Sequence, residues 1–535
     1  MSSNTPATDP SGTNTAELSE PYMTGLLSSL GLAVEYVRAT GNTLYRRDEA
    51  GEEKAVLDMV GGYGSTILGH NNPDVLGYAK SLLEAHVPVH AQFASHPHAN
   101  DVARKLNAIL QRELGGAEPY FAVFANTGAE AVEVAVKHAE LDRVKKVAAL
   151  RKELEEGLEQ AGSAVADGAA ALTDTTFEEL DALGVPAAHG TGIDHLLDTV
   201  KRLNEERVQT PPVLLALQGS FHGKLIGSVQ LTHNPSVRLP FQALAGQCRF
   251  VPVDQPDALA QIVKNERRTL LGLAVANGVV HVAERDLPNF CAFLLEPIQG
   301  EAGINVLDEE AARRIQRTCA AIDCPVIIDE VQSGMGRSGA FFASSSIGIR
   351  GDYYTLSKSL GGGIAKASIA LIRGSRYRTD FELMHSSTFA KDGFSTLIAG
   401  KVIDLLEQND GEAYRLAEER GNRLLSELRA IHADFPDVVK EVRGKGLMIG
   451  MEFHDQSDAP SAAIREQASL FGYVAAGYLL RTHSLRVFPT ASAVNTLRFE
   501  PSIHLTDAEI DQVATALRDL CTVLHTRDDS RLFGV

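Results

Sequence analysis

The sequence predicts an α/β protein with a large, mostly parallel sheet and a smaller α+β unit. Three observations lead there. Short apolar runs alternate with helical patterns through the middle of the chain. Those runs are nearly continuous, as in strands covered on both faces by helices. Past about residue 395 the order changes to long amphipathic helices, then strands, then a final helix.

The runs follow in order. "PYFAVFAN" (119–126) leads into the helical "TGAEAVEVAVKHAE". "PPVLLALQG" (211–219) precedes "SFHGKLIGS". "CAFLLEP" (291–297) is followed by a helix pattern over 307–322 and by "CPVIIDE" (324–330). "YYTLSKSLGGGIAKA" (353–367) runs into "ASIALIRG" (367–374). In such sheets ligands gather at the carboxyl ends of the strands, and each polar motif begins at one. Beyond 395, "GFSTLIAGKVIDLLEQ" and "AYRLAEERGNRLLSELRAIHADF" read as helices, and "GKGLMIGMEFHD" and "TLRFEPSI" as strands. "TDAEIDQVATALRDLCTVLH" reads as a last helix capped by Thr506 or Asp507.

The expected organisation is a loose arm over 1–20, a segment 21–75 joining the small domain, a large domain 76–390 and a small α+β domain 391–535. The stretch of about 140–210 interrupts the large domain. There Leu141, Val144, Val147, Leu150 or Leu154, and Leu158 recur at three- and four-residue steps. "GSAVADGAAALTDTT" breaks the pattern and "IDHLLDTVKRLNEER" resumes it. It reads as a helical insertion that makes a solvated excursion.

Composition excludes several roles. The 535 residues carry 50 basic and 69 acidic side chains, a net charge of −19. Such a surface repels phosphate backbones and anionic lipid. No apolar run reaches membrane-span length, and the Ser/Thr/Pro-rich start has no signal-peptide pattern. The five cysteines (Cys248, Cys291, Cys319, Cys324, Cys521) have no metal spacing and read as free thiols of a cytoplasmic protein. No metal is expected.

Four features carry chemistry. At "NTGAEA" a strand ends and a helix starts, so free backbone amides with Thr127 nearby form an anion cup. Phe221 and His222 follow a strand, where an aromatic can stack on a planar ligand. Asp329 and Glu330 follow the buried run of "IIDEVQSGMGRSG", where a carboxylate needs a partner: a metal, an arginine or a protonated ring nitrogen. Lys358 sits between serines just before Gly361, Gly362 and Gly363. Each alone has a structural explanation, and Lys358 alone would be a solvated loop lysine. Together they match pyridoxal 5′-phosphate, which needs a phosphate cup, a stacking face, a carboxylate at its pyridine nitrogen and a lysine at its aldehyde.

The chain resembles the class III (ω-type) aminotransferases of the fold-type I pyridoxal-phosphate enzymes. "LGHNNPDV", "NTGAEA", "FHG", "EPIQGEAGI", "IIDEVQSGMGRSG", "LSKSLGGG", "STF", "RGKGLMIGMEF" and "LRFEPS" carry the likeness, from about residue 25 to 525. The resemblance implies that Lys358 forms the Schiff base and Asp329 pairs with the pyridine nitrogen. It implies that Gln332 approaches the ring hydroxyl, Phe221 stacks on the ring, and Gly128 and Ala129 bind the phosphate. Thr127, His222 and Glu296 complete the implied cofactor site. Thr388 resembles the threonine that reaches a neighbouring subunit's cofactor, so a homodimer or dimer of dimers is expected.

On the substrate side, Arg498 matches a carboxylate-binding arginine and Glu301 the glutamate that alternates with the substrate on it. Tyr63 matches an aromatic lining the pocket. Keeping Arg498 and Glu301 resembles the ornithine, acetylornithine and γ-aminobutyrate subgroup. Lys224 replaces an arginine common after "FHG", and "TFAKDGFS" puts Lys391 and Asp392 where the subgroup has "TFGGNP". The expected reaction passes an amino group from an amine or amino acid to a 2-oxo acid such as 2-oxoglutarate. The alternatives are decarboxylation, racemisation, an aminomutase shift or a non-catalytic cofactor-binding regulator. The 140–210 insertion is a candidate docking site for a carrier protein.

Overall fold

The computed structural model describes residues 18–89, 93–185 and 190–534. Residues 1–17 of the expected arm lie outside the described residues. Seven strands form the central sheet: β1 (Tyr120–Ala125), β2 (Val213–Leu217), β3 (Cys248–Val251), β4 (Phe290–Leu295), β5 (Val326–Asp329), β6 (Tyr353–Leu356) and β7 (Ser368–Arg373). Their order is β1-β7-β6-β5-β4-β2-β3. Only β7 runs against its neighbours, β6 and β1; the other pairs are parallel. β4, β5 and β6 are buried at every residue, which is why their sequences are apolar runs rather than alternating ones. Because all strands but one point the same way, their carboxyl ends share one rim.

Helices with local start signals cover the sheet. Thr127 caps the helix Gly128–Ala166 by accepting the Glu130 amide. Asp308 caps Glu309–Ala321 through the amides of Glu310 and Ala311. The two helix patterns after residue 393 form two helices within Gly393–Asp434, joined across a kink of non-helical backbone at Gln408, Asn409, Asp410 and Gly411.

The N-terminal strands Tyr36–Thr40, Thr43–Arg47 and Glu53–Asp58 form a meander. Leu485–Arg486 pairs in parallel with the third of them, so distant parts of the chain build one sheet. A second small sheet joins Val439–Lys445, Met448–Phe453, Thr496–Phe499 and Phe488–Pro489. The last helix, Asp507–Thr526, is capped by Thr506 and Glu509 reciprocally.

The insertion differs from the solvated excursion expected of it. The helix that starts at the sheet rim runs 39 residues, about 58 Å at 1.5 Å per residue. Its far half packs with Asp174–Ala182, Ile193–Val208 and a downstream hairpin, Thr269–Ala276 with Val279–Asp286. Leu158, Phe177, Leu180, Leu196, Val200, Leu271, Leu273, Val280 and Val282 form a core of their own. Val147 and Leu154 from the predicted stripe pack on Leu270 and Leu287, whereas Val144 is exposed. A hairpin outside the segment supplies the partner that a helical stripe requires.

Candidate active site

Lys358 follows β6 and opens a single 3-10 turn, Lys358–Gly361. Its φ is 46°, a left-handed conformation that costs a non-glycine residue energy and that surrounding structure must enforce. The next residues enforce it: Ser359 Oγ donates to Gly64 O at 2.7 Å, and Leu360 is fully buried. Gly362 turns with φ 58°, where a Cβ would lie 2.8 Å from Val402. Lys358 is half-buried. Burial pushes its amine below the ordinary lysine pKa, while Glu500, Glu301 and Asp329 oppose that shift and Arg498 adds to it.

Asp329 is the last residue of β5 and is buried. Its Oδ1 accepts from Val331 N (3.0 Å) and Thr355 Oγ1 (3.2 Å), and its Oδ2 contacts His222 Nδ1 at 2.8 Å. Burial alone would push the His222 pKa down, but its hydrogen bond to Asp329 and that residue's charge hold it above the ordinary histidine value. The Nε2 of His222 is buried without a partner among the described residues. Glu296 sits just past β4 and accepts the amides of Phe221 (2.9 Å) and Gly300 (3.2 Å). Burial pushes its pKa up to about 7, His222 pulls it back and Asp329 adds to it. Glu296 therefore fixes the backbone of Phe221, and His222 backs Asp329.

The start of the Gly128–Ala166 helix lies against these groups. A Cβ on Gly128 would come within 2.7 Å of Val331 and 3.5 Å of Ser357, and one on Gly223 within 2.6 Å of Ala129. Helix geometry leaves the Gly128 and Ala129 amides without intrahelical acceptors. One small volume therefore holds an anion-binding helix start, Asp329, the "FHG" turn and the Lys358 loop. This donor set fits pyridoxal phosphate: amides for a phosphate, a carboxylate for a protonated ring nitrogen and an amine for an aldehyde.

The substrate side is a buried charge cluster. Arg498, on the strand Thr496–Phe499, is 1% exposed. Both its terminal nitrogens bond Glu301, with Nη1 to Oε1 at 2.7 Å. Burial works against the Glu301 charge, but Arg498 outweighs it and holds the carboxyl below its usual range. The Arg498 guanidinium lies 5.1 Å from the Tyr63 ring centroid. Tyr63 occupies a run of four left-handed residues, Gly61 to Gly64, pinned by Arg337 Nη2 to Gly64 O at 3.3 Å. Gln332 Nε2 donates to Glu500 Oε1 at 2.7 Å.

Two expected residues are exposed in the single chain. Lys224 is exposed, and so is Thr388. It is Ser387 that meets the helix start of its own chain, accepting from Asn126 Nδ2 at 2.9 Å. Asp392 is buried and caps the helix Gly393–Asp434, accepting the Ser395 amide at 2.8 Å. Sequence reasoning missed Arg337 and Glu500. Glu500 carried a readable signal, because residues two apart along a strand share a face and Arg498 was already placed on it. Among the described residues no histidine, cysteine and carboxylate group is arranged to hold a metal, and no helix is long and apolar enough to cross a membrane.

The class III aminotransferase family model matches residues 28–521. An ornithine aminotransferase from Toxoplasma gondii ME49 shares the fold, with 20% identity over 92% of each chain and a TM-score of 0.64. So does a transaminase from the marine bacterium Virgibacillus, with 18% identity over 92% of this chain and 94% of that one, at a TM-score of 0.65. An amine transaminase from an uncultivated Pseudomonas species, in its cofactor-bound form, is 19% identical over 96% of this chain and 99% of that one, at 0.65.

Proposed function

The chain belongs to the class III aminotransferases, which use pyridoxal 5′-phosphate, and from that premise we propose that it moves an amino group from an amine or amino-acid donor to 2-oxoglutarate. Lys358 would bind the cofactor aldehyde as a Schiff base and Asp329 its ring nitrogen, with Phe221 on the ring face and Gly128 and Ala129 at the phosphate. When bound, the cofactor supplies an aldehyde that accepts amino groups and a protonated ring that withdraws electrons from the carbon attached to them.

The residues of this chain do the rest. Lys358 Nζ, its pKa lowered by burial, would take the proton from the donor carbon and return one to the carbon on the far side of the shared nitrogen, two bonds away. Asp329 is fixed by Val331, Thr355 and His222, so its charge needs no rearrangement during the reaction.

The observation that carries the acceptor assignment is the buried Arg498–Glu301 pair. A buried guanidinium satisfied by a glutamate can exchange that carboxylate for a substrate's at little electrostatic cost, because charge is replaced by charge. One pocket can then serve a carboxylate-bearing acceptor and a donor lacking that group. The test is a donor panel with 2-oxoglutarate, scored by stoichiometric glutamate, in wild type and Arg498→Gln. The KM for 2-oxoglutarate should rise by roughly 100-fold in the variant, with the donor half-reaction nearly unchanged. Absence of glutamate with every donor, or an unchanged KM, would reject 2-oxoglutarate as the acceptor held by Arg498.

A further inference from the structure

Glu500 lies one residue past the strand that carries Arg498 and is fully buried. Its Oε1 accepts from Gln332 Nε2 at 2.7 Å. Its Oε2 has no hydrogen-bond partner among the described residues and lies 3.9 Å from Arg498 Nη1. The side chain is walled in by the glycine turn: a Cβ on Gly64 would meet Glu500 Oε1 at 3.3 Å and Arg337 Nε at 3.4 Å. Gly64 O is also the acceptor for Ser359, the neighbour of Lys358. The Glu500 amide donates to Met59 O at 2.7 Å, so its backbone is fixed as well.

A carboxylate with an unused oxygen in a buried site is costly unless charge around it is put to use. Glu301 already satisfies both terminal nitrogens of Arg498. Glu500 is therefore a second carboxylate beside Arg498, and its charge also acts on the buried Arg337 guanidinium. We propose that Glu500 is a positioning residue of the active site, one buried carboxylate that fixes the amide of Gln332 on the cofactor side and backs the guanidinium of Arg498 on the substrate side. The proposal rests on the reading of Arg498 as the carboxylate anchor and adds a constraint on substrates. The Glu500 carboxylate beside Arg498 works against a second carboxylate on a substrate and in favour of a second ammonium group.

Glu500 is among the charged groups that act on Lys358, with Glu301, Arg498 and Asp329. Its removal has two readable consequences. In the cofactor-free protein, labelling of Lys358 by acetic anhydride is followed against pH by peptide mass spectrometry. In Glu500→Gln the midpoint should move to lower pH, because the amine loses the negative charge that retains its proton. In the holoenzyme, the KM for 2-oxoglutarate should fall roughly tenfold and that for pyruvate less, with kcat changed less than either. Should Glu500→Gln fail to fold, Glu500→Asp withdraws the charge by one methylene and should move the labelling midpoint in the same direction by less. An unchanged labelling midpoint in a folded variant overturns the proposal. Labelling needs no substrate, so failure of glutamate formation would count against the acceptor assignment alone.

Discussion

At the carboxyl rim of the central sheet the chain buries charge, whereas in the satellite unit built on residues 147–208 and 269–286 it buries apolar surface. On the rim, Asp329, Glu296, Glu500 and Arg498 are all nearly inaccessible. His222 Nε2, Arg498 Nε and Glu500 Oε2 are buried without partners among the described residues. In the satellite unit, Leu158, Leu180, Leu196, Leu271 and Val280 form the core, and charges such as Glu153, Arg285, Arg151 and Glu205 pair near the surface. The two regions share one helix, Gly128–Ala166, whose first turn serves the rim and whose last turns serve the satellite core. Buried charge with unspent polar capacity marks a site prepared for a ligand; a core of apolar side chains marks a module prepared to hold its shape.

The largest expected break in that comparison is Lys358→Ala. If the rim is built for chemistry, turnover falls by roughly 1,000-fold or more while the cofactor-free protein keeps its stability. Borohydride reduction followed by intact-mass measurement should show no covalent cofactor on the variant. A variant that loses stability and retains turnover would make Lys358 a structural residue and erase the contrast.

The next test addresses the satellite side. Leu158 is 2% exposed and lies about 45 Å along the helix from Gly128 at 1.5 Å per residue. Leu158→Ala should cost about 2–5 kcal/mol of local stability, read by hydrogen exchange over 147–208 and 269–286, with kcat unchanged. A fall in kcat would show that the satellite core braces the helix start at the rim. Removing 145–205 alone is a poor test, because it strips cover from Leu271, Leu273, Val280 and Val282. The hairpin has to go with it.

The same contrast governs what could be read from sequence. The rim was legible because each of its groups follows an apolar strand in one contiguous motif: "NTGAEA", "FHG", "IIDE", "LSKS". Lys358 needed no tertiary knowledge to be noticed beside three glycines. Glu500 was missed because its importance comes from Gln332, 168 positions away, and from a strand face shared with Arg498. The satellite failed for a similar reason. A helical stripe in 140–210 does not name its partner, which lies beyond β2 and β3. The partner was itself readable: Asn277 and Gly278, with φ of 52° and 74°, make the Asn-Gly turn of a hairpin in "LAVANGVVHVA".

The smallest expected effect is the direction in which pH moves each region. In the satellite unit, Glu179 accepts the Val282 amide at 2.7 Å and contacts His281 Nδ1 at 2.8 Å. Burial works against its charge, but those bonds outweigh it and hold its pKa below the ordinary glutamate value. Fewer protons bind folded than unfolded, so its stabilisation is present above the unfolded pKa and is lost as pH falls through the folded one. At Glu296 and Glu330 on the rim the sign reverses, whereas Glu301, held low by Arg498, keeps the sign of Glu179. Burial raises Glu296 and Glu330 to about 7, so the folded state binds more protons between about 4.5 and 7. Their contribution is full below that window and declines as pH rises through it. Hydrogen exchange at pH 4, 5.5 and 7, corrected for intrinsic rates, should therefore show the cofactor-free rim around Glu296 and Glu330 loosening toward neutrality and the satellite unit loosening toward acid. Glu179→Gln should remove the acid-side loosening, at a cost of about 1 kcal/mol near neutrality, and leave the rim untouched. If both regions moved in the same direction, the buried carboxylates of the rim would be paired as fully as those of the satellite, and the rim would have no unspent charge to offer a ligand.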